Sequence, residues 1–277
     1  MNQHPIDAYR EAIQAGYALG AFNVFNMLSA QAVVEASNEM HVPSIIQMST
    51  STVKTLGIKK ALAIFNVVCL DAQQNIMLHL DHCTDVAFAK QCIDAGWKSI
   101  MIDGSSLPFE ENVKQTREIV DYAIGKDVLV EGEIGVIQGV DDGVSEDYTR
   151  VADYNEVERF FLETGVDIIA PSIGTAHGLY EGTPVLNLEL VQQLIKNNIG
   201  PLVIHGGTGL SEDVFRKLVQ LGVAKINVST ALKHAYLDTM KEIVTPDLVY
   251  NPMDYDRKIV AGVKKVVLQH MSYFCGR

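Results

Sequence analysis

One pattern limits this chain more than any other. Eight short apolar or β-branched runs recur along it, each with a polar or glycine-containing end and each followed by a longer stretch of helical period. The runs cover 18–25 (ALGAFNVF), 42–49 (VPSIIQMS), 75–82 (NIMLHLDH), 99–105 (SIMIDGS), 128–135 (VLVEGEIG), 167–175 (DIIAPSIGT), 201–209 (PLVIHGGTG) and 224–230 (AKINVST). The stretches between them include SAQAVVEASNEM, DVAFAKQCIDAG, NEVERFFLETG and EDVFRKLVQLG, and several end in glycine, a common helix stop. Near-continuous apolar strands alternating with helices predict a parallel sheet covered by helices. Eight such units predict a closed (β/α)8 TIM barrel, a single domain over residues 1–277. The competing open, doubly wound sheet would carry a GxGxxG turn after its first strand, and AFNVFNM has none.

The polar residues sit where a barrel would use them. Asn23, Asp81, His82, Asp103, Glu133, Gly174, His205 and Asn227 lie at the C-terminal ends of predicted strands, and His177 lies just past the sixth. In a barrel those ends meet at one mouth, where active sites form. Three histidines there, His82, His177 and His205, could each give an imidazole nitrogen to Zn²⁺ and leave a fourth position open, the pattern of a catalytic zinc. Asp81, next to His82, is placed to support a ligand or to move a proton. Asp103 and Glu133 could orient the imidazoles or hold the metal in an alternate position. His79 reads as a core or supporting residue. His4, His41, His234 and His270 read as surface or locally bonded.

The last two strands end differently. HGGTG (205–209) and NVST (227–230) each lead into a helical stretch, and glycine N–H groups with hydroxyls at helix starts make an anion cradle. Barrels frequently bind phosphate after strands seven and eight.

Composition closes off other classes. A net charge of −12 argues against a nucleic-acid partner. No apolar run approaches the ~18 residues of a membrane span, and the first ten residues lack a signal-peptide pattern, so the expected place is the cytoplasm. Cys69, Cys83, Cys92 and Cys275 form no CxxC pair, which predicts free thiols in a reducing compartment.

Taken together, AFNV (21–24), HLDH (79–82), MIDGS (101–105), EGEIG (131–135), GTAHGLY (174–180), HGGTG (205–209), KINVST (225–230) and YDRK (255–258) resemble the class II, zinc-dependent ketose-bisphosphate aldolases, the fructose- and tagatose-bisphosphate aldolase group. The similarity runs through essentially the whole chain. The resemblance implies reversible cleavage of a phosphorylated ketose to dihydroxyacetone phosphate and an aldehyde. It implies Zn²⁺ on His82, His177 and His205, and Asp81 as acid and base. Gly178, Gly206, Gly207, Thr208, Asn227, Ser229 and Thr230 would hold the phosphate. Asn23 and Ser49 would line the other half of the substrate. Arg257 would meet a distal anionic group, often from a neighbouring subunit, in a homodimer or homotetramer. A monovalent cation, Na⁺ or K⁺, is compatible with the same site.

Three stretches depart from the family pattern. In GVIQGVDDGVSED, Gln138 replaces a glycine, and Asp141 stands where the family's second proton-moving residue, a glutamate, aligns; the loop 136–150 is expected to act as a lid. Glu181 stands where many members have lysine. QMSTSTVK (47–54) replaces a Ser-x-Gly-Ala stretch facing the aldehyde half, which admits substrates such as sulfofructose 1-phosphate or a deoxyketogluconate phosphate beside the bisphosphates. Rival readings are a Schiff-base aldolase, a metal-dependent barrel hydrolase and a non-catalytic metal-binding barrel. The first needs a lysine inside the barrel, and Lys98 and Lys225 are read as preceding their strands. The second often needs HxH after strand one, which ends AFNVF here.

Overall fold

The computed structural model of the chain describes residues 5–141, 144–146, 148–178, 182, 184–244 and 250–276, with the backbone alone for 140–141 and 144–146. His4 and Glu181 lie outside the described residues.

All eight predicted runs form strands: β1 (Leu19–Asn23), β2 (Ser44–Ser49), β3 (Ile76–Cys83), β4 (Ser99–Ile102), β5 (Leu129–Ile134), and, after a two-stranded excursion of β6 (Gly139–Asp141) and β7 (Val144–Glu146), β8 (Ile168–Pro171), β9 (Val203–Ile204) and β10 (Lys225–Val228). The eight pair in parallel in the order β8-β5-β4-β3-β2-β1-β10-β9. A bridge between Ile169 and Leu202, with Ile169 N donating to Pro201 O at 3.1 Å, joins the two ends and closes the barrel. Closure leaves no sheet edge exposed.

Helices separate the strands: α1 (Pro5–Ala15) precedes β1, α2 (Met27–Met40) follows it, and α3 (Thr50–Leu56) and α4 (Ile58–Val68) follow β2. Next come α5 (Val86–Asp94), α6 (Phe109–Ala123), α7 (Tyr154–Thr164), α8 (Leu188–Lys196), α9 (Glu212–Leu221), α10 (Thr230–Ile243) and α11 (Pro252–Cys275). Local chemistry sets their ends. Asn26 and Ser29 form a capping box at the start of α2, and Asp85, Asp153 and Ser211 cap α5, α7 and α9. Gly165 and Gly222 end α7 and α9 in the left-handed conformation, as the sequence predicts. His41 does the same for α2 at φ 56°.

Two cores result. The outer one packs outward strand residues such as Phe22, Ile46, Leu80, Ile100, Val130 and Ile204 against the helices. The inner one fills the N-terminal end of the barrel with Leu19, Ala21, Ile45, Met77, Leu129, Ile168 and Val203, and α1 closes that end by burying Ala8, Tyr9 and Ala12 against them. Apolar groups therefore fill much of the bottom of the barrel, and the polar residues at the strand ends converge toward the other end. Among the described residues, no helix is long and apolar enough to cross a membrane. All four cysteines are free thiols.

The excursion after β5 is not a plain loop. Its backbone forms the β6–β7 antiparallel pair, flanked by a bridge between Val136 and Arg150.

Candidate active site

Asp81 and His82 are consecutive, so in a regular strand they would face opposite sides of the sheet. They do not, because β3 is irregular there. The register against β4 shifts between Leu80 and Cys83, and His82 takes φ 46°, an uncommon conformation for a residue with a Cβ. The bulge lets Asp81 face inward in step with Met77 and His79 and still brings the His82 ring to the mouth. Thr50, the first residue of α3, ties down the bulge by donating to the His82 carbonyl at 3.2 Å.

The three predicted histidines meet. Their rings lie 4.7 Å (82–205), 5.0 Å (82–177) and 6.3 Å (177–205) apart between centroids. One ligand-capable nitrogen from each falls within 4.8 Å of the others. His82 Nε2 and His205 Nδ1 face each other at 3.0 Å. A tetrahedral zinc with Zn–N bonds of about 2.0–2.1 Å would set its nitrogens roughly 3.3 Å apart, so the spacing is close to what an ion needs.

Carboxylates orient two of the rings. His82 Nδ1 meets Asp103 Oδ2 at 2.7 Å, while the other oxygen, Oδ1, accepts from Ser105 N at 3.1 Å and Ser105 Oγ at 2.7 Å. His205 Nε2 meets Glu131 Oε1 at 2.8 Å. Each ring so held turns its remaining nitrogen toward the cluster, the usual support for a metal-binding imidazole. The third histidine, His177, is held through its backbone, its N–H donating to Gln138 O at 2.7 Å.

The charges are strongly coupled. Burial discourages a proton on His82, but Asp81, Asp103 and Glu133 outweigh it and hold its pKa well above the ordinary value. Burial also opposes the charge on Asp103, yet its hydrogen bond to His82 holds the carboxyl below its usual range. Burial and neighbouring Asp103 push Glu133 well above its own. Burial lowers His205.

Asp81 is gripped by amides. Asn23 Nδ2 donates to its Oδ2 at 2.8 Å and Asn227 Nδ2 to its Oδ1 at 3.3 Å. Gln47 Nε2 in turn donates to Asn23 Oδ1 at 2.5 Å and fixes which way that amide points. Gln47 escaped the sequence reading, although it shares the inward face of β2 with Ser49 two residues on. Glu131 escaped in the same way, two residues before Glu133.

One reading needs correction. Lys225 does not precede its strand: it is the first residue of β10 and is fully buried inside the barrel, its Nζ donating to Glu131 Oε2 at 2.7 Å. The alternation that points Asn227 inward carries Lys225 with it. A barrel-lining lysine therefore exists, but a carboxylate holds it below the histidines. Lys98 is exposed and donates to Lys126 O.

The residues of the expected anion cradle come together beside the cluster. His177, Gly178, Gly206, Gly207, Thr208, Asn227, Ser229 and Thr230 line one small cavity. Gly206 sits at φ 70°, where a Cβ would overlap the Ala176 carbonyl. Thr208 Oγ1 accepts from Ala231 N at 3.2 Å and joins the two turns. The N-terminus of α10 opens at this cavity, while α9 starts four residues beyond Thr208 under its own Ser211 cap.

Other assigned residues lie elsewhere or are occupied. Ser49 is buried at the end of β2, where its Oγ caps α3 by accepting from Thr52 N at 3.2 Å. Arg257 lies on α11, 71% exposed and paired with Asp254 of its own helix, in a surface groove with Met27, Gln31 and Glu35. Within one chain it does not reach the histidines. The backbone of Asp141 lies in β6, but its side chain, like the whole of Glu181, is outside the described residues. Gly174 packs against the Val185 carbonyl and is structural.

The donor set suits a metal. Three imidazoles converge among four carboxylates, Asp81, Asp103, Glu131 and Glu133, and Glu133 Oε2 is buried with no hydrogen-bond partner, 3.4 Å from His205 Nδ1. His82, Asp103 and Glu133 form a second, overlapping set of ligand-capable atoms.

Comparison with known proteins agrees with this geometry. The family model described as fructose-bisphosphate aldolase class-II matches residues 5–276. The chain is 35% identical over 251 residues to a sulfofructosephosphate aldolase from Alkalicoccus urumqiensis, covering 90% of this chain and 85% of that one. It is also 35% identical over 270 residues to a 6-phospho-5-dehydro-2-deoxy-D-gluconate aldolase from Bacillus licheniformis, covering 96% and 92%. Among solved structures it resembles the YdjI aldolase from Escherichia coli K12, with a TM-score of 0.85, 27% identity, and coverage of 99% and 97%. The barrel, the histidine cluster and these similarities lead to one conclusion: the chain belongs to the class II fructose-bisphosphate aldolase family.

Proposed function

We propose that this chain cleaves, reversibly, the C3–C4 bond of a ketose 1-phosphate or 1,6-bisphosphate to give dihydroxyacetone phosphate and an aldehyde, with zinc held by His82, His177 and His205. The observation that carries the reading is the position of Asp81. Its carboxylate, next to His82 in the chain, is gripped by Asn23 and by Asn227, and Asn227 lines the same small cavity as His177.

In the cleavage direction Asp81 takes the C4 hydroxyl proton. The C4–O bond becomes a carbonyl, and the C3–C4 electrons pass to the dihydroxyacetone half. Zinc, when bound, supplies Lewis-acid stabilisation of the negative charge that develops there, an effect of several kcal/mol. The cradle of Gly206, Gly207, Thr208, Ser229 and Thr230 binds the phosphate and sets the reacting carbons against Asp81. Asp141 then gives a proton to C3, and its β6–β7 pair excludes water. Backing for that placement comes from Gln138, just before β6, whose carbonyl accepts from His177 N.

Arg257, exposed on one chain, would complete the site of a neighbouring subunit, so the working form is a homodimer or homotetramer. The free thiols fit a reducing compartment such as the cytoplasm. Non-glycolytic ketoses are a second reading for the aldehyde half. In their favour are the serine- and threonine-rich 49–52 segment and the two relatives at 35% identity, named for sulfofructose phosphate and a dehydrodeoxygluconate phosphate.

A coupled assay for dihydroxyacetone phosphate across these ketose phosphates separates the substrates. Asp81→Ala should keep zinc and fold yet lose about 10²- to 10⁴-fold in kcat, the usual scale for a general base. A variant near the wild-type rate would remove Asp81 from the mechanism. Chelation should abolish turnover, and borohydride with substrate should not trap the enzyme, because Lys225 is committed to Glu131. Turnover with no substrate in the panel, with zinc bound, would favour a non-catalytic barrel.

A further inference from the structure

Beneath the histidine cluster lies a charged layer that the proposed chemistry does not use directly. Lys225 Nζ donates to Glu131 Oε2 at 2.7 Å, and both side chains are fully buried. The other oxygen, Oε1, meets His205 Nε2 at 2.8 Å. A second imidazole flanks the same carboxylate: His79 Nε2 lies 3.5 Å from Oε2, and its Nδ1 meets Ser99 Oγ at 2.7 Å. One carboxylate thus has two histidines within reach, and the lysine occupies the oxygen nearer His79.

A buried ion pair adds little stability over an apolar pair of the same size, and barrel interiors are normally filled with branched apolar side chains. Lys225 and Glu131 therefore invite an explanation other than stability. Asp103 points to one. It serves His82 with one oxygen while Ser105 holds the other. Glu131 serves His205 with one oxygen while Lys225 holds the other. The same device, a carboxylate pinned at one oxygen and offering the second to an imidazole, appears behind two of the three clustered histidines.

We infer that Lys225 is a positioning residue: by holding Oε2 of Glu131 it commits Oε1 to the Nε2 proton of His205, so that His205 presents Nδ1 to the metal. The inference rests on the metal reading of the cluster, and its test separates the two. Lys225 touches neither metal nor substrate and acts through Glu131.

The test compares the metal-free wild type with Lys225→Met. Long-range ¹⁵N–¹H NMR reads the histidine tautomers, and competition with a chromophoric chelator reads zinc affinity. In the wild type, His205 should show the Nε2-protonated tautomer. Lys225→Met should lose that single tautomer, as Glu131 turns toward His79, and should bind zinc about 10- to 100-fold more weakly, the usual scale for ligand-supporting residues. A variant with the wild-type tautomer or wild-type zinc affinity overturns the proposal. If Lys225→Met leaves Glu131 unpaired and the chain unfolded, Lys225→Met/Glu131→Leu replaces the ion pair with an apolar one. That variant should fold, lose the Nε2-protonated tautomer and show the same weakening, and wild-type zinc affinity in it overturns the proposal equally. Wild-type protein that binds no zinc defeats the metal reading, while the tautomer comparison still judges the role of Lys225.

Discussion

Both oxygens of Asp81 are committed to side-chain amides. That geometry aims a carboxylate without quenching its charge, as a lysine or arginine partner would. Asn23→Ala removes the donor at 2.8 Å and leaves Gln47 without the acceptor for its Nε2. A hydrogen bond to a charged group contributes about 1.5–3 kcal/mol, so kcat should fall roughly ten- to hundredfold with zinc content unchanged. Steady-state kinetics with metal analysis checks it. Asp141→Asn should slow solvent deuterium exchange at C3 of dihydroxyacetone phosphate more than it slows C–C cleavage, and exchange at the wild-type rate would move that proton transfer to another group. At this scale the sequence named the groups at strand ends but missed Gln47, Glu131 and the inward face of Lys225. All three lie two residues before a residue that was found. The alternation of a strand carries that information once the face of one residue is known.

At the scale of elements, two turns build the site. The bulge in β3 places Asp81 and His82 on the same mouth, and the β9–α9 turn folds its glycines over the cradle. Gly206→Ala tests the second. An alanine at φ 70° costs about 1–2 kcal/mol in backbone strain alone, and its Cβ would also meet the Ala176 carbonyl. The variant should melt at a lower temperature and bind inorganic phosphate more weakly, as read by thermal unfolding and competitive inhibition. The stretch 136–150 was expected as a loop, and within it the backbones of β6 and β7 pair antiparallel. Its sequence, with glycines at 139 and 143 and alternating valines, has hairpin features that read equally well as a flexible glycine-rich loop.

For the molecule as a whole, the inner core ties the N-terminal helix to the barrel. Tyr9→Ala empties space among Leu19, Ile45, Met77 and Leu129, and truncating a buried aromatic usually costs about 3–5 kcal/mol. Denaturant unfolding should show that loss. Arg257→Ala should raise KM for ketoses with a distal anion while leaving dihydroxyacetone phosphate binding alone, and sedimentation should show a dimer or tetramer. A monomer of full activity would remove Arg257 from the site.

The sequence by itself determined the eight-unit barrel, the three histidines, Asp81 and the glycine cradle, because each is written in a local pattern: apolar runs, strand ends and glycine-rich turns. The tertiary structure alone decided three other matters. It made neighbours of Asp81, Asn23 and Asn227, which are 58 and 146 residues apart in the chain. It turned His82 to the mouth through a register shift that exists only when β3 pairs with β4. It sent Lys225 inward to Glu131 and left Arg257 on the surface. Each of these depends on which strand lies beside which and in what register, and barrel closure sets that over distances no local pattern spans.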